Sequence, residues 1–320
     1  MNSELGSVAT AARAAIGNAS HAAGSADGER PRFELFHAAT SICSQKVRVV
    51  LLHHRLPFLG HTLNLFNGDT YLPEYVRLRM IGCRSFGGEL VARHSGSTSA
   101  EAGGCDGAVV PTLVDWEAGQ VIVDSKRICA YLDEQVDQSV RLRPLALAAA
   151  IDRDVAIIDN LPNYQMLMGR NTGATESAAT RDGIGASFSE RKVAWCDRYL
   201  RERSDEATLV AAYTAKRAKE LSAAHELFSA DAMSAAYDLA ERSLAELERK
   251  LEARTTAWLY GDRPTMSDLF WGIELLRMKN VGVAHYWEQG RMPNVARYLA
   301  DAESIPAIKA GVIDWPGAQF

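Results

Sequence analysis

The chain has 320 residues, 47% of them hydrophobic and 23% charged, with a formal net charge of −5. That size suits one large domain or two ordinary ones with ample core, and that charge points away from nucleic acids and anionic membranes as partners. No apolar run approaches the roughly 18 residues of a membrane-spanning helix. The five cysteines, irregularly spaced, suggest no disulfide framework. The first residues lack the compact apolar core of a signal peptide, so a reducing cytoplasm is the expected setting.

Residues 1–31 are rich in Ala, Ser and Gly and read as a mobile tail. The β-prone run Phe33–Ala38 follows, and Thr40-Ser41-Ile42-Cys43-Ser44-Gln45-Lys46-Val47-Arg48 then opens a helical pattern. Cys43, Val47, Val50, Leu51 and His54 recur on one face, and Thr40 and Ser41 both qualify as N-cap. A serine in that place is often only a cap, and a cysteine on an apolar face is often only core. A thiol in the first turn also faces free N–H groups and the positive end of the helix dipole, which predicts titration below its usual value of about 8.5. Further along, the pattern predicts a strand near His61–Phe66 and a short helix over Tyr71–Arg79. Residues 82–108 turn polar and Gly-rich and read as a long loop of the kind that serves as a lid or insertion. Val109–Val114 and Val121–Val123 predict a hairpin turning at Glu117-Ala118-Gly119, after which Asp124 or Ser125 caps another helix.

The order β-α-β-α-β-β-α over 32–138 is a compact α/β unit. Residues 137–145, with Pro144 and few apolar groups, mark its end, and 146–320 is helical almost throughout. Helices are predicted over about 146–168, 187–203, 207–228, 231–254, 266–281, 293–302 and 306–313. The clearest start is Thr265-Met266-Ser267-Asp268, a capping box. The eight histidines show no metal-site spacing, and no Gly-rich phosphate loop follows a strand.

Three signals in this order resemble the cytosolic glutathione transferases. Ser41-Ile42-Cys43-Ser44-Gln45-Lys46-Val47-Arg48 is similar to the S-x-C-x-x-R/K-V-R motif of the zeta class and of tetrachlorohydroquinone dehalogenase. Val110-Pro111-Thr112-Leu113 resembles the V-P-T-L corner with its cis proline, and Asp124-Ser125 stands where the family has Glu/Gln-Ser. Over nearly the whole length the chain resembles the dichlorohydroquinone reductive dechlorinases. Tyr75-Val76-Arg77-Leu78-Arg79, the long insertion before the proline, Asp268-Leu269-Phe270-Trp271 and Trp315-Pro316-Gly317 all carry that likeness.

The resemblance implies a thioredoxin-like α/β domain followed by an all-α domain, with glutathione as co-substrate. It implies that Val110, at the Pro111 corner, pairs with the glutathione backbone. Ser125, at a helix N-terminus, suits the γ-glutamyl carboxylate and Asp124 the γ-glutamyl ammonium. Ser41 corresponds to the hydroxyl that favours the glutathione thiolate, and Cys43 to the thiol that resolves a glutathionyl–aromatic conjugate by exchange. Cys83 and Cys105 are either redox partners or bystanders, while Cys129 and Cys196 read as core. Tyr164, Met166, Met168, Trp195 and Trp271 are candidate walls of an aromatic pocket, or ordinary core. The activity implied is reductive dechlorination of a chlorinated hydroquinone. The alternatives are β-aryl ether cleavage, a zeta-like isomerisation, or a non-catalytic subunit. The implied assembly is a dimer of identical or related chains.

Overall fold

The computed structural model describes residues 3–17, 20–23, 31–87, 89–98, 104–169 and 184–318. Helix α1 (Ser3–Ile16) and strand β1 (Ser20–Ala23) precede the α/β unit. Then come β2 (Phe33–His37), α2 (Ile42–His53), β3 (Phe58–Thr62), α3 (Pro73–Phe86), β4 (Thr112–Asp115), β5 (Gln120–Val123) and α4 (Ser125–Glu134). The sheet order is β1-β3-β2-β4-β5, with β2 and β3 parallel and the other neighbours antiparallel.

Alternation along the strands divides the core. Leu35, Leu113 and Ile122 pack with Val47, Val50, Ile128 and Leu132 of α2 and α4. Phe36, Val114 and Val121 face Tyr75 and Leu78 of α3 on the other side. At Gly82, α3 comes so close to β5 that a Cβ would lie 2.6 Å from Val123 Cγ1.

Residues 3–17 and 20–23 correct the expectation of a mobile tail over 1–31, of which 24–30 lie outside the described residues. Leu5, Ala9, Ala12 and Ile16 recur at helical spacing and are all buried against the α3 side of the sheet. Small alanines let α1 approach closely, so its buried face carries little of the bulky-apolar signature that marks an anchored helix. Arg13 clamps it electrostatically, donating to both oxygens of Glu34 at 2.8 and 3.0 Å. Trp116 Nε1 donates to the same carboxylate at 2.7 Å, and His61 Nε2 lies 2.6 Å from it.

Burial opposes ionisation of Glu34, but the bonds from His61 and Arg13 win and hold its carboxyl at about 2, below the ordinary 4.5. A depressed carboxylate adds stability that is fully present above about 4.5 and is lost as pH falls toward 2. Chemical denaturation across that window should therefore show wild type losing on the order of 3 kcal/mol more than Glu34→Gln. Parallel pH curves for the two proteins would contradict this clamp.

The second half comprises α5 (Ala148–Asp159), α6 (Asn163–Met168), α7 (Ile184–Glu202), α8 (Ala207–Glu226), α9 (Ala230–Ala253), α10 (Met266–Asn280), α11 (Pro293–Glu303) and α12 (Pro306–Ile308). The single helix expected over 146–168 is two, because Leu161-Pro162 interrupts it. The last expected helix becomes one short turn followed by a π turn at Lys309–Ile313. Helix α10 is buried on nearly every side, and its start has the expected box: Thr265 N and Oγ1 both donate to Asp268 Oδ2 at 2.7 Å.

The long-loop expectation for 82–108 also needs correcting. Helix α3 runs to Phe86, and Leu90 bridges Cys105 in β fashion. Cys83 and Cys105 form a disulfide with Cα atoms 5.8 Å apart, so of the two readings left open for this pair, redox partners or bystanders, the structure has them bonded. Further along, Thr98 N and Ser97 Oγ each donate to Asp159 O at 2.9 Å. A third core of Tyr71, Val76, Met80, Cys105, Cys196, Leu209 and Tyr213 packs this segment between α3 and the α7–α8 pair.

Candidate active site

Ser41 is the N-cap of α2, with its Oγ accepting from Ser44 N at 3.3 Å. A hydroxyl that accepts in this way keeps its own hydrogen to donate outward. Ser44 Oγ in turn accepts from Ala38 N at 3.2 Å, which ties the end of β2 to the start of the helix.

The Val110–Pro111 bond is cis. The β4 ladder begins at Thr112, so Val110 lies beyond its paired residues. Two side chains of α3 fix this corner. Tyr75 OH donates to Val109 O at 2.6 Å, and the Arg79 guanidinium donates to the carbonyls of Asp106 and Pro111 and to Thr112 Oγ1.

Across from the corner, Asp124 caps α4 by accepting from Arg127 N at 3.1 Å, with a left-handed φ of 75°. Ser125 opens the same helix. All six residues singled out in the sequence, Ser41, Cys43, Val110, Pro111, Asp124 and Ser125, line one cavity of about 270 Å³. Of the candidate wall residues, Tyr164 and Met168 line it as well. Met166 and Trp271 belong to the main core, and Trp195 packs its ring 5.1 Å from that of Tyr71.

The thiol departs from expectation. Burial pushes the Cys43 thiol above its ordinary value; Lys46 opposes that, Asp159 reinforces it, a hydrogen bond with Ser125 opposes it and Asp124 reinforces it. The desolvation and these two carboxylates outweigh the pull of the helix terminus. Cys43 nonetheless keeps partial exposure, whereas the other two free cysteines, Cys129 and Cys196, are buried.

The groups beneath Cys43 were not legible as a site. Lys46, on α2, pairs with Asp159 of α5 at 2.7 Å, both side chains fully enclosed. Arg277 of α10 donates to Thr40 O and to Gln45 Oε1. Burial raises the Glu274 carboxyl to about 7, and Asn163 Nδ2 donates to it at 3.0 Å. The one available signal was the place of Lys46, a turn beyond Cys43 in the quoted motif.

This arrangement has relatives. The family described as "Glutathione S-transferase, N-terminal domain" matches residues 40–135, and "Glutathione S-transferase, C-terminal domain" matches 230–301. The 2,5-dichlorohydroquinone reductive dechlorinase of Sphingobium indicum is 33% identical over 290 residues, covering 90% of this chain and 84% of that protein. The chain belongs to the glutathione S-transferase family. Among solved structures, the β-etherase LigF from Sphingobium sp. strain SYK-6 is similar with a TM-score of 0.56 at 15% identity, covering 87% of this chain and 97% of that one. Ure2p in complex with glutathione gives 0.53 at 15% identity, covering 89% and 100%. These likenesses show the glutathione S-transferase fold, a mixed-sheet domain followed by a helical one. Glutathione is the co-substrate of this family of enzymes.

Proposed function

We propose that this enzyme removes chloride from a small chlorinated hydroquinone, using glutathione as the reductant. The observation that carries the reading is the placement of Ser41 and Cys43 together, at one helix N-terminus and in one cavity. Glutathione docks its backbone at Val110 and Pro111, its γ-glutamyl carboxylate at Ser125 and its ammonium at Asp124. Ser41 donates to its sulfur and stabilises the thiolate, which displaces chloride to give a glutathionyl hydroquinone.

Cys43 then attacks the sulfur of that conjugate. The aryl–sulfur bond breaks, the ring carbon takes up a proton, and Cys43 is left as a mixed disulfide with glutathione. A second glutathione releases glutathione disulfide and restores the thiol. Overall, an aryl chloride and two glutathiones give the reduced arene, glutathione disulfide, chloride and a proton. In the middle step the proton given up by Cys43 equals the one gained by the ring, so a resting thiol held protonated is compatible with this chemistry.

A second reading is cleavage of a β-aryl ether, which requires no thiol besides that of glutathione. Ser41 serves both. A hydrogen bond to a charged acceptor is worth about 1.5–3 kcal/mol, so Ser41→Ala should slow the first displacement by roughly one to two decades. Stopped-flow measurement of thiolate absorbance and chloride release checks this. An unchanged rate would remove Ser41 from thiolate stabilisation.

A further inference from the structure

The far wall of the cavity is built from the α7–α8 pair, the start of α3 and the insertion, and its charge is unbalanced. Lys216 Nζ lies 2.8 Å from Asp106 Oδ2 and 2.8 Å from Glu220 Oε1. Lys219 Nζ shares the same Asp106 oxygen at 3.0 Å. Lys192 Nζ donates to Glu220 Oε2 at 3.2 Å and to Tyr164 OH at 3.1 Å. Among the described residues, three ammonium groups thus face two carboxylates, and all five side chains line the cavity. The three carry nine N–H donors, of which these contacts engage five.

A second observation is independent of that charge. Tyr71 lines the same cavity, is 2% exposed, and its hydroxyl has no hydrogen-bond partner among the described residues. Buried hydroxyls are normally satisfied, so an orphan beside a ligand cavity marks a place for a ligand atom. Lys216 Nζ stands 5.6 Å from the Tyr71 ring centre. Burial holds the Tyr71 phenol well above its ordinary value, which keeps it a donor. Around the cluster the walls are aromatic: His94 stacks on Tyr164 at 5.0 Å, and Lys192 sits 4.8 Å from the Phe188 ring centre. Burial lowers His94 to about 3, so the imidazole adds no charge of its own at neutral pH.

We propose that the Tyr71 hydroxyl and the ammonium groups of Lys192, Lys216 and Lys219 form an oxyanion-binding pole that selects aromatic substrates carrying an ionised phenol. The inference rests on the aromatic-substrate reading above and names the ionisation state that reading leaves open. The phenolate oxygen accepts from Tyr71 and from unengaged lysine donors. The ring lies among His94, Tyr164 and Phe188, and the opposite ring edge is presented toward Ser41 and Cys43. Excess positive charge on side chains that are largely buried, and so weakly screened, discriminates strongly between a phenolate and its neutral ether.

The experiment titrates the full-length protein, saturated with unreactive S-methylglutathione at pH 8, with 2,4,6-trichlorophenolate and with 2,4,6-trichloroanisole. Wild type should bind the phenolate at least about tenfold more tightly than the ether, the equivalent of one charge-assisted hydrogen bond. Tyr71→Phe and Lys219→Met should each compress that ratio toward unity, and Lys219→Arg should retain it. Lys216 still pairs with Asp106 in Lys219→Met, and Tyr71→Phe removes one oxygen, so at least one of the two variants reports on a folded cavity. Equal wild-type affinities, no binding of either compound, or a ratio unmoved in both variants would overturn the proposal. Glutathione transfer to the neutral 1-chloro-2,4-dinitrobenzene, measured in parallel, reports separately on the parent reading.

Discussion

Cys43→Ser should convert the protein from a reductant into a conjugating enzyme. In the proposed pathway the first displacement uses only the glutathione thiolate and Ser41, so chloride release should continue. The second step needs a sulfur nucleophile, and a serine hydroxyl is far too weakly acidic to attack the conjugate sulfur. Reduced hydroquinone should fall by at least ~100-fold, a barrier increase of about 2.7 kcal/mol, while a glutathionyl hydroquinone accumulates. Mass spectrometry of quenched time points distinguishes the two products. Wild-type yields of reduced product from the variant would remove Cys43 from the pathway.

Lys46→Met should produce the largest loss of stability. Lys46 and Asp159 join α2 to α5, and neither has water to fall back on. Breaking a buried pair by removing one partner costs about 3–5 kcal/mol, because the remaining charge is left unpaired. Replacing both, as in Lys46→Met/Asp159→Leu, should recover most of that cost. Urea denaturation of the single and double variants measures the coupling, and equal losses in the two would show that no such pairing energy exists. Lys46 also opposes the rise of the Cys43 thiol, so the single variant should shift that thiol further upward. Alkylation rate against pH reads this directly.

The parts of the fold that were legible in sequence share one property: their signals are local. Ser41 and Ser44 cap and tie α2 within a few residues, Thr265 and Asp268 box the start of α10, and Val110-Pro111 sits directly against the strand that it opens. Such short-range chemistry survives in one dimension. The anchoring of α1 was not legible because two of its four buried residues are alanines, whose burial depends on the close approach of α3 rather than on their own bulk. The Cys83–Cys105 bond stayed an open alternative in sequence because its spacing fits no framework pattern; the cysteines meet only once the segment between them folds back against α3.

The candidate site divides in the same way. The end proposed for glutathione, with Ser41, Val110 and Ser125, lay in three quotable motifs. Its other end is assembled from Tyr71, Asp106, Lys192, Lys216, Lys219 and Glu220, residues of four separate segments, each an unremarkable surface-type residue in its own stretch. The Cys43 thiol was misjudged for a related reason. The helix terminus that lowers it is local, whereas Asp159, which raises it, arrives from a helix 116 positions away in the numbering.

The most direct test of the account is the stoichiometry of one reaction. Purified protein is given a chlorinated hydroquinone and excess glutathione without oxygen, and chloride, reduced hydroquinone and glutathione disulfide are followed together. Reductive dechlorination through Cys43 predicts the three in equal amounts, with no lasting thioether. Chloride release matched by a stable glutathionyl hydroquinone, with no glutathione disulfide, would contradict it.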